Sequence, residues 1–169
     1  MICPQCGFDN LQGVDECENC GFDLRTVDIP APSTEFEAEL VNIPLADLSH
    51  HKPLTIAPSA SAADAVSQMR QAGAGCLIVE DGGQVRGILS ERDLVMKLTD
   101  VTLDGTTVEQ LMTPDPVVLR PDDSIAVAIN KMAVGGFRHI PLVVDGRATG
   151  IVSARDVFRH IMSAKNSGS

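Results

Sequence analysis

Residues 51–98 register against residues 114–161 with a constant offset of 63 and no insertion. Pro53 pairs with Pro116, Pro58 with Pro121, Met69 with Met132, Gly73 with Gly136, Gly83 with Gly146, Gly87 with Gly150, Ser90 with Ser153, Arg92 with Arg155 and Asp93 with Asp156. The match extends upstream to Leu48 and Leu111. One supersecondary unit is therefore used twice, each copy too small to bury its apolar face alone and expected to pack against its twin. The persistent positions include a fixed polar cluster, so the chain carries a candidate site twice.

At 169 residues, with 44% hydrophobic and 21% charged, the chain has room for one ordinary domain and a small appendage. No apolar run approaches a membrane span, and the opening residues lack the basic-then-apolar layout of a signal peptide, so a cytoplasmic protein is expected. Residues 1–42 carry nine acidic side chains against Arg25 alone, whereas the remaining fourteen acidic groups face twelve basic ones. An acidic N-terminal piece is poorly suited to phosphate backbones, whose binding rests on cationic contacts. The chain also lacks Trp and Tyr, the usual platforms for unpaired bases. Nucleic acid is thus the less favoured partner, although a regulator that uses its N-terminal piece on DNA or RNA stays open as the alternative reading.

The N-terminal piece contains Cys3-Pro-Gln-Cys6-Gly7-Phe8 and Cys17-Glu-Asn-Cys20-Gly21-Phe22, two CxxC pairs ten residues apart. Each pair can hold one side of a tetrahedral ion, and the glycine after the second cysteine permits the left-handed turn this requires. About 25 residues cannot fold on apolar burial alone, so a metal would supply folding energy. Structural Zn2+ bound by Cys3, Cys6, Cys17 and Cys20 is expected, with disulfides, redox dithiols and iron as the rivals. Residues 1–27 look like a short zinc ribbon. Residues 28–42 read as a Pro-rich linker in which Glu35 to Leu40 can form either a short strand or a helical turn.

Within each copy the order of elements is legible. Ser61-Ala-Ala-Asp64 resembles a capping box, followed by apolar residues at helical spacing as far as Gly73; the twin helix starts at Asp123 or Ser124 and runs to Gly135-Gly136. Two strands then flank the turns at Asp81-Gly82-Gly83 and Asp145-Gly146, and a closing helix begins after Ser90 or Ser153. The result is an α+β fold of two β-α-β-β-α repeats, with sheet covered by helices on one side.

Gly-Ile-Leu-Ser-Glu-Arg-Asp at 87–93 and Gly-Ile-Val-Ser-Ala-Arg-Asp at 150–156 resemble the CBS domain, together with Phe137-Arg-His-Ile-Pro-Leu-Val-Val-Asp145 and the entry segment Leu111-Met-Thr-Pro-Asp-Pro-Val-Val-Leu119. The resemblance covers residues 43–162 and implies a tandem CBS pair, or Bateman module, related by a pseudo-twofold. The expected units are 43–104 and 105–163, followed by a disordered tail at 164–169. The family commonly binds adenosine-containing ligands in two clefts, and usually dimerises through apolar helix faces, here near Ala62 to Met69 and Ile125 to Met132.

A carboxylate is a good bidentate acceptor for the vicinal hydroxyls of a ribose, and in the first turn of a helix it lies beside free N–H groups that suit a phosphate. By resemblance, Asp93 and Asp156 hold ribose, Ser90 and Ser153 contact sugar or phosphate, and the backbone at Ile140 and Pro141 borders adenine. Arg92, Arg138, His139 and Arg155 supply countercharge. Ser-x-x-Asp is equally a capping box, and this second role stays open at both sites. The first copy has Gly75-Cys76 where the second has Arg138-His139, so it lacks that cation; Cys76 reads as a buried small hydrophobe. His50 and His51 read as solvated loop residues and His160 as a helix-end charge. No catalytic motif assembles, and the expected function is that of a non-enzymatic module that senses AMP, ADP, ATP or S-adenosylmethionine and signals to a protein partner.

Overall fold

The computed structural model describes residues 2–11, 14–24, 34–48, 52–97 and 103–166. His50 and His51 lie outside the described residues.

The offset of 63 recurs in the long helix, in both strands of the hairpin and at the start of the closing helix of each copy. The first copy runs β1 (Thr55–Ile56), α2 (Ala62–Ala72), β2 (Cys76–Asp81), β3 (Gln84–Ser90) and α3 (Glu91–Lys97), preceded by α1 (Glu35–Asn42). The second runs α4 (Val108–Leu111), β4 (Thr113–Pro114), α5 (Ile125–Gly135), β5 (His139–Val144), β6 (Arg147–Ser153) and α6 (Ala154–Asn166). Helix α2 begins at a full capping box, in which Ser61 Oγ accepts from Asp64 N at 3.0 Å, and it stops at Gly73, whose φ of 60° is left-handed. Helix α5 is capped by Ser124, whose Oγ accepts from Val127 N without the reciprocal bond, and stops at Gly136 with φ 66°.

Strands β2 and β3 pair antiparallel, as do β5 and β6, and the register shifts at Val79/Glu80 in one hairpin and at its counterpart Leu142/Val143 in the other. Both hairpins close on two left-handed residues, Gly82-Gly83 and Asp145-Gly146, the geometry whose twist matches that of the strands. Strand β1 lies parallel to β2, and the bridge from Leu119 to Leu142 is the counterpart of Ile56 with Val79. Strand β4 completes the order β1-β2-β3-β4 in the first sheet.

Each copy is completed by the lead-in of the other. Val108 N and Glu109 N donate to Ala60 O and Pro58 O, while Leu45 N and Ala46 N donate to Asp123 O and Pro121 O, the same two bonds displaced by 63. Val108 and Leu111 are buried with Ala62, Ala65, Met69, Leu77 and Leu89 of the first copy. Leu40, Leu45 and Leu48 are buried with Ile125, Ala128, Ile140 and Val152 of the second. Cores of this kind lose about 2–5 kcal/mol per Leu→Ala truncation.

Three differences from the sequence reading have local causes. Residues 35–42 form helix α1, not linker, because Glu, Ala and Leu favour helix and Leu40 reaches the second core. Helix α6 continues to Asn166, so residues 164–166 are helical where a disordered tail was expected. His160 accordingly sits within α6 and not at its end, which removes the helix-end role.

Candidate ligand clefts and metal centre

The ribbon is itself a repeat of two knuckles. Cys3 N donates to Phe8 O and Cys17 N to Phe22 O, while Gly7 N and Gly21 N donate to Cys3 O and Cys17 O, each glycine left-handed. The knuckles bring the sulfurs of Cys3, Cys6, Cys17 and Cys20 within 4.8 Å of one another, with Cys3 3.7 Å from Cys20 and Cys6 3.5 Å from Cys17. Four thiolates at 2.3 Å from a tetrahedral ion stand about 3.8 Å apart, so the set fits such an ion with all four positions filled.

Asn10, a residue the sequence reading passed over, is buried beneath the knuckles. Its Nδ2 lies 3.1 Å from Phe8 O and 3.6 Å from Cys17 Sγ, and its Oδ1 accepts from Glu18 N at 3.0 Å. It therefore ties one knuckle to the other. The available signal was its counterpart in the second knuckle, the buried Leu24: a polar residue stands where the repeat calls for an apolar one. The ribbon reaches the second copy through Asp15, whose carboxylate lies 2.7 Å from Lys131 Nζ on α5.

In the repeated unit, both Ser-x-x-Asp clusters cap their helices. Asp93 Oδ2 accepts from Ser90 N at 2.9 Å and Ser90 Oγ at 2.5 Å; Asp156 Oδ2 accepts from Ser153 N at 3.0 Å and Ser153 Oγ at 2.6 Å. Capping consumes one oxygen of each carboxylate and leaves the other, so capping and ligand contact are compatible. The remaining oxygens differ. Asp93 Oδ1 accepts from Thr113 Oγ1 at 3.1 Å and faces Lys97 Nζ at 3.3 Å, whereas Asp156 Oδ1 has Arg159 at 3.7 Å. Burial works to raise the Asp93 pKa, but the two Ser90 bonds, Thr113 and the Lys97 charge outweigh it and hold the carboxyl below its ordinary value. Neither Thr113 nor Lys97 was among the expected site residues; Lys97 was legible as the i+4 partner of Asp93 on a helix.

His139 begins β5 and is half-buried against Gly75 of the first copy. Burial lowers its pKa, opposed by Asp156 and Glu91 and reinforced by Arg138 and Arg155, with a net fall from the ordinary value. Arg138 and Arg155 are exposed, and Arg92 donates to Gly136 O across the copies at 3.3 Å. Ile140 and Pro141 are buried, so they offer backbone alone. At the position of Pro141 the first copy has Ile78, whose N–H bonds Leu54 O at 2.8 Å. Proline has no such donor, and the carbonyl of Val117, the counterpart of Leu54, is left without this strand partner. Cys76 is buried, its thiol pushed up to about 12 by burial and then by the Glu91 charge. A depression of about 270 Å³ between the hairpin tips, lined by Gln84, Val85, Asp115, Pro116, Val118, Val143 and Gly146, includes neither Ser–Asp pair.

Residues 45–100 and 108–163 each match the CBS domain. The chain belongs to the CBS domain family. It is 31% identical over 116 residues to the CBS domain-containing protein YhcV of Bacillus subtilis, spanning 68% of this chain and 83% of that one. The CBS domain pair of MJ0100, crystallised with 5′-methylthioadenosine and S-adenosyl-L-methionine, has the same fold, with a TM-score of 0.67 at 23% identity over 72% of this chain and 97% of that one. CBSX2, crystallised with AMP, superposes with a TM-score of 0.62 at 25% identity over 73% of this chain and 98% of that one. The CBS pair accounts for the α+β architecture and its doubling. Among the described residues no helix is long and apolar enough to cross a membrane.

Proposed function

We propose that this CBS pair is a regulatory module that binds an adenosine-containing nucleotide and passes its occupancy to a protein partner. The observation that carries the reading is the Asp156 carboxylate: one oxygen is spent on the helix cap, and the other has no hydrogen bond from the protein among the described residues. A ribose diol has the two donors this oxygen and its neighbour Ser153 can serve. Arg138 and Arg155 supply countercharge for a phosphate and the neutral His139 ring an N–H donor, the Val117 carbonyl offers an acceptor to an exocyclic amine, and the AMP held by CBSX2 belongs to the same ligand class. In the first copy Ser90, Arg92 and Asp93 form the equivalent set without a counterpart to Arg138 and His139.

The four-cysteine centre is read as structural zinc, which suits its thiolate set, its filled coordination and the small apolar core of Leu24, Val14 and Phe22 around it. Homodimerisation is favoured by Val95, Met96, Phe158 and Met162, which stand exposed on α3 and α6. Helix α1 packs on α5, so part of the α5 surface is taken within the chain. Light scattering at micromolar concentration tests the dimer.

Calorimetric titration of nucleotide-free protein with AMP, ATP and S-adenosylmethionine tests the binding reading. Asp156→Ala should weaken the preferred ligand by about 1.5–3 kcal/mol, the usual loss for a charge-assisted hydrogen-bonding group. Heats no larger than dilution for all three ligands would refute it.

A further inference from the structure

An ionised carboxylate has about four lone-pair sites and an ammonium three hydrogens. Asp93 accepts three hydrogen bonds within the protein, from Ser90 N, Ser90 Oγ and Thr113 Oγ1, and its Oδ1 is ion-paired with Lys97 Nζ at 3.3 Å. Lys97 Nζ stands beside Asp93 Oδ1 at 3.3 Å and donates two hydrogen bonds, to Leu111 O at 2.7 Å and to Met112 O at 3.2 Å. The last two are carbonyls at the end of α4, which have no partner within that helix. The Oδ1 side of Asp93 is thus covered by a hydroxyl and an ammonium. The network also joins three elements, since α3 supplies Asp93 and Lys97, α4 and its C-cap Met112 the carbonyls and β4 the Thr113 hydroxyl.

Among the described residues the second copy lacks this arrangement. The repeat puts His160 where Lys97 stands, and Asp156 keeps an oxygen whose nearest cation, Arg159, is at 3.7 Å, beyond hydrogen-bond reach. A diol arriving at Asp156 meets an open acceptor. One arriving at Asp93 has to displace an ammonium and a hydroxyl that are already paired.

We propose that Lys97 is an internal occupant of the first cleft, closing Asp93 to a ribose diol, so that the chain takes one adenosine nucleotide, at Asp156. This rests on the reading of the Asp156 cleft given above. Lys97 is thus the residue that decides which of two near-identical motifs is available.

The test is calorimetric titration with AMP of the wild type, Lys97→Met, Lys97→Arg and His160→Lys, each with its melting temperature recorded. Wild type should show one site per chain, Lys97→Met two, and Lys97→Arg, which keeps donors for the same carbonyls and carboxylate, one. His160→Lys installs the occupant in the second copy and should weaken the Asp156 site by roughly tenfold or more with no fall in melting temperature. If Lys97→Met gains no site over wild type, or loses one, the inference is overturned. Should Lys97→Met fail to fold, His160→Lys decides alone: unchanged affinity overturns the inference. If wild type takes up no AMP, the proposed function fails, and a site gained in Lys97→Met still supports the role of Lys97 while none gained overturns both.

Discussion

Gly75 of the first copy and His139 of the second meet face to face: a Cβ built on residue 75 would lie 3.4 Å from His139 Nε2 and 3.5 Å from Cε1. These are ordinary contact distances, so the imidazole packs directly on the first copy's backbone, where the charges of Glu91 of one copy and Asp156 of the other act on it. Burial then favours its neutral form.

Because the pKa of His139 is lowered on folding, the unfolded chain binds the extra proton first. Stability is therefore present in full above the unfolded histidine pKa of about 6.5 and is lost as pH falls through the lower folded value. His139→Gln, which cannot charge, should flatten the decline in urea midpoint below pH 6.5. A decline as steep as that of wild type would show that His139 is not its source.

Aspartates 93 and 156 should separate stability from binding. Asp93→Ala removes a cap, worth about 1 kcal/mol, and leaves Lys97 and Thr113 without their acceptor. It should lower the melting temperature more than Asp156→Ala does and leave AMP affinity nearly unchanged. Asp156→Ala should do the reverse. Equal effects of both variants on both measurements would contradict the asymmetry.

Thiol chemistry should count the metal site. With zinc bound, alkylation at pH 8 should modify no cysteine quickly; after removal of zinc by a chelator, Cys3, Cys6, Cys17 and Cys20 should react, and Cys76 only after denaturation. The reason for the last is its burial and a pKa near 12. Rapid labelling of all the ribbon cysteines before chelation would remove the zinc assignment. Cys17→Ser should lose the metal and unfold the ribbon while the melting of the CBS pair is kept.

The exchanged lead-ins make a spatially specific prediction. Leu45→Ala should destabilise the second copy by about 2–5 kcal/mol, although residue 45 precedes the first copy in sequence. Hydrogen exchange should quicken in β5 and β6 before β2 and β3. The opposite order would place Leu45 in the wrong core.

The sequence made the repeat, its register, the caps at Ser61 and Ser124, the hairpin turns and the cysteine knuckles legible, because each is a local pattern read within a few residues. Helix α1 was not, since its alternation of Glu with apolar residues fits either period until Leu40 finds a core to enter. Nor was the difference between the two clefts. Identical Ser-x-x-Asp motifs hide it, and it arises from Lys97 on one helix meeting carbonyls from another. Asn10 escaped notice because a buried asparagine declares itself only through the backbone groups it joins.

The reciprocal lead-ins bear on how such a chain could have arisen. A half-length ancestor with a single copy would carry a flap made for a core it did not possess, so it could be whole only as two molecules, each covering the other. Fusing two genes head to tail would then have changed nothing in the packing and simply made a partner that had to be found by diffusion permanently present. Positions such as Lys97 and His160 would from then on be free to differ, since a substitution would no longer appear on both sides at once.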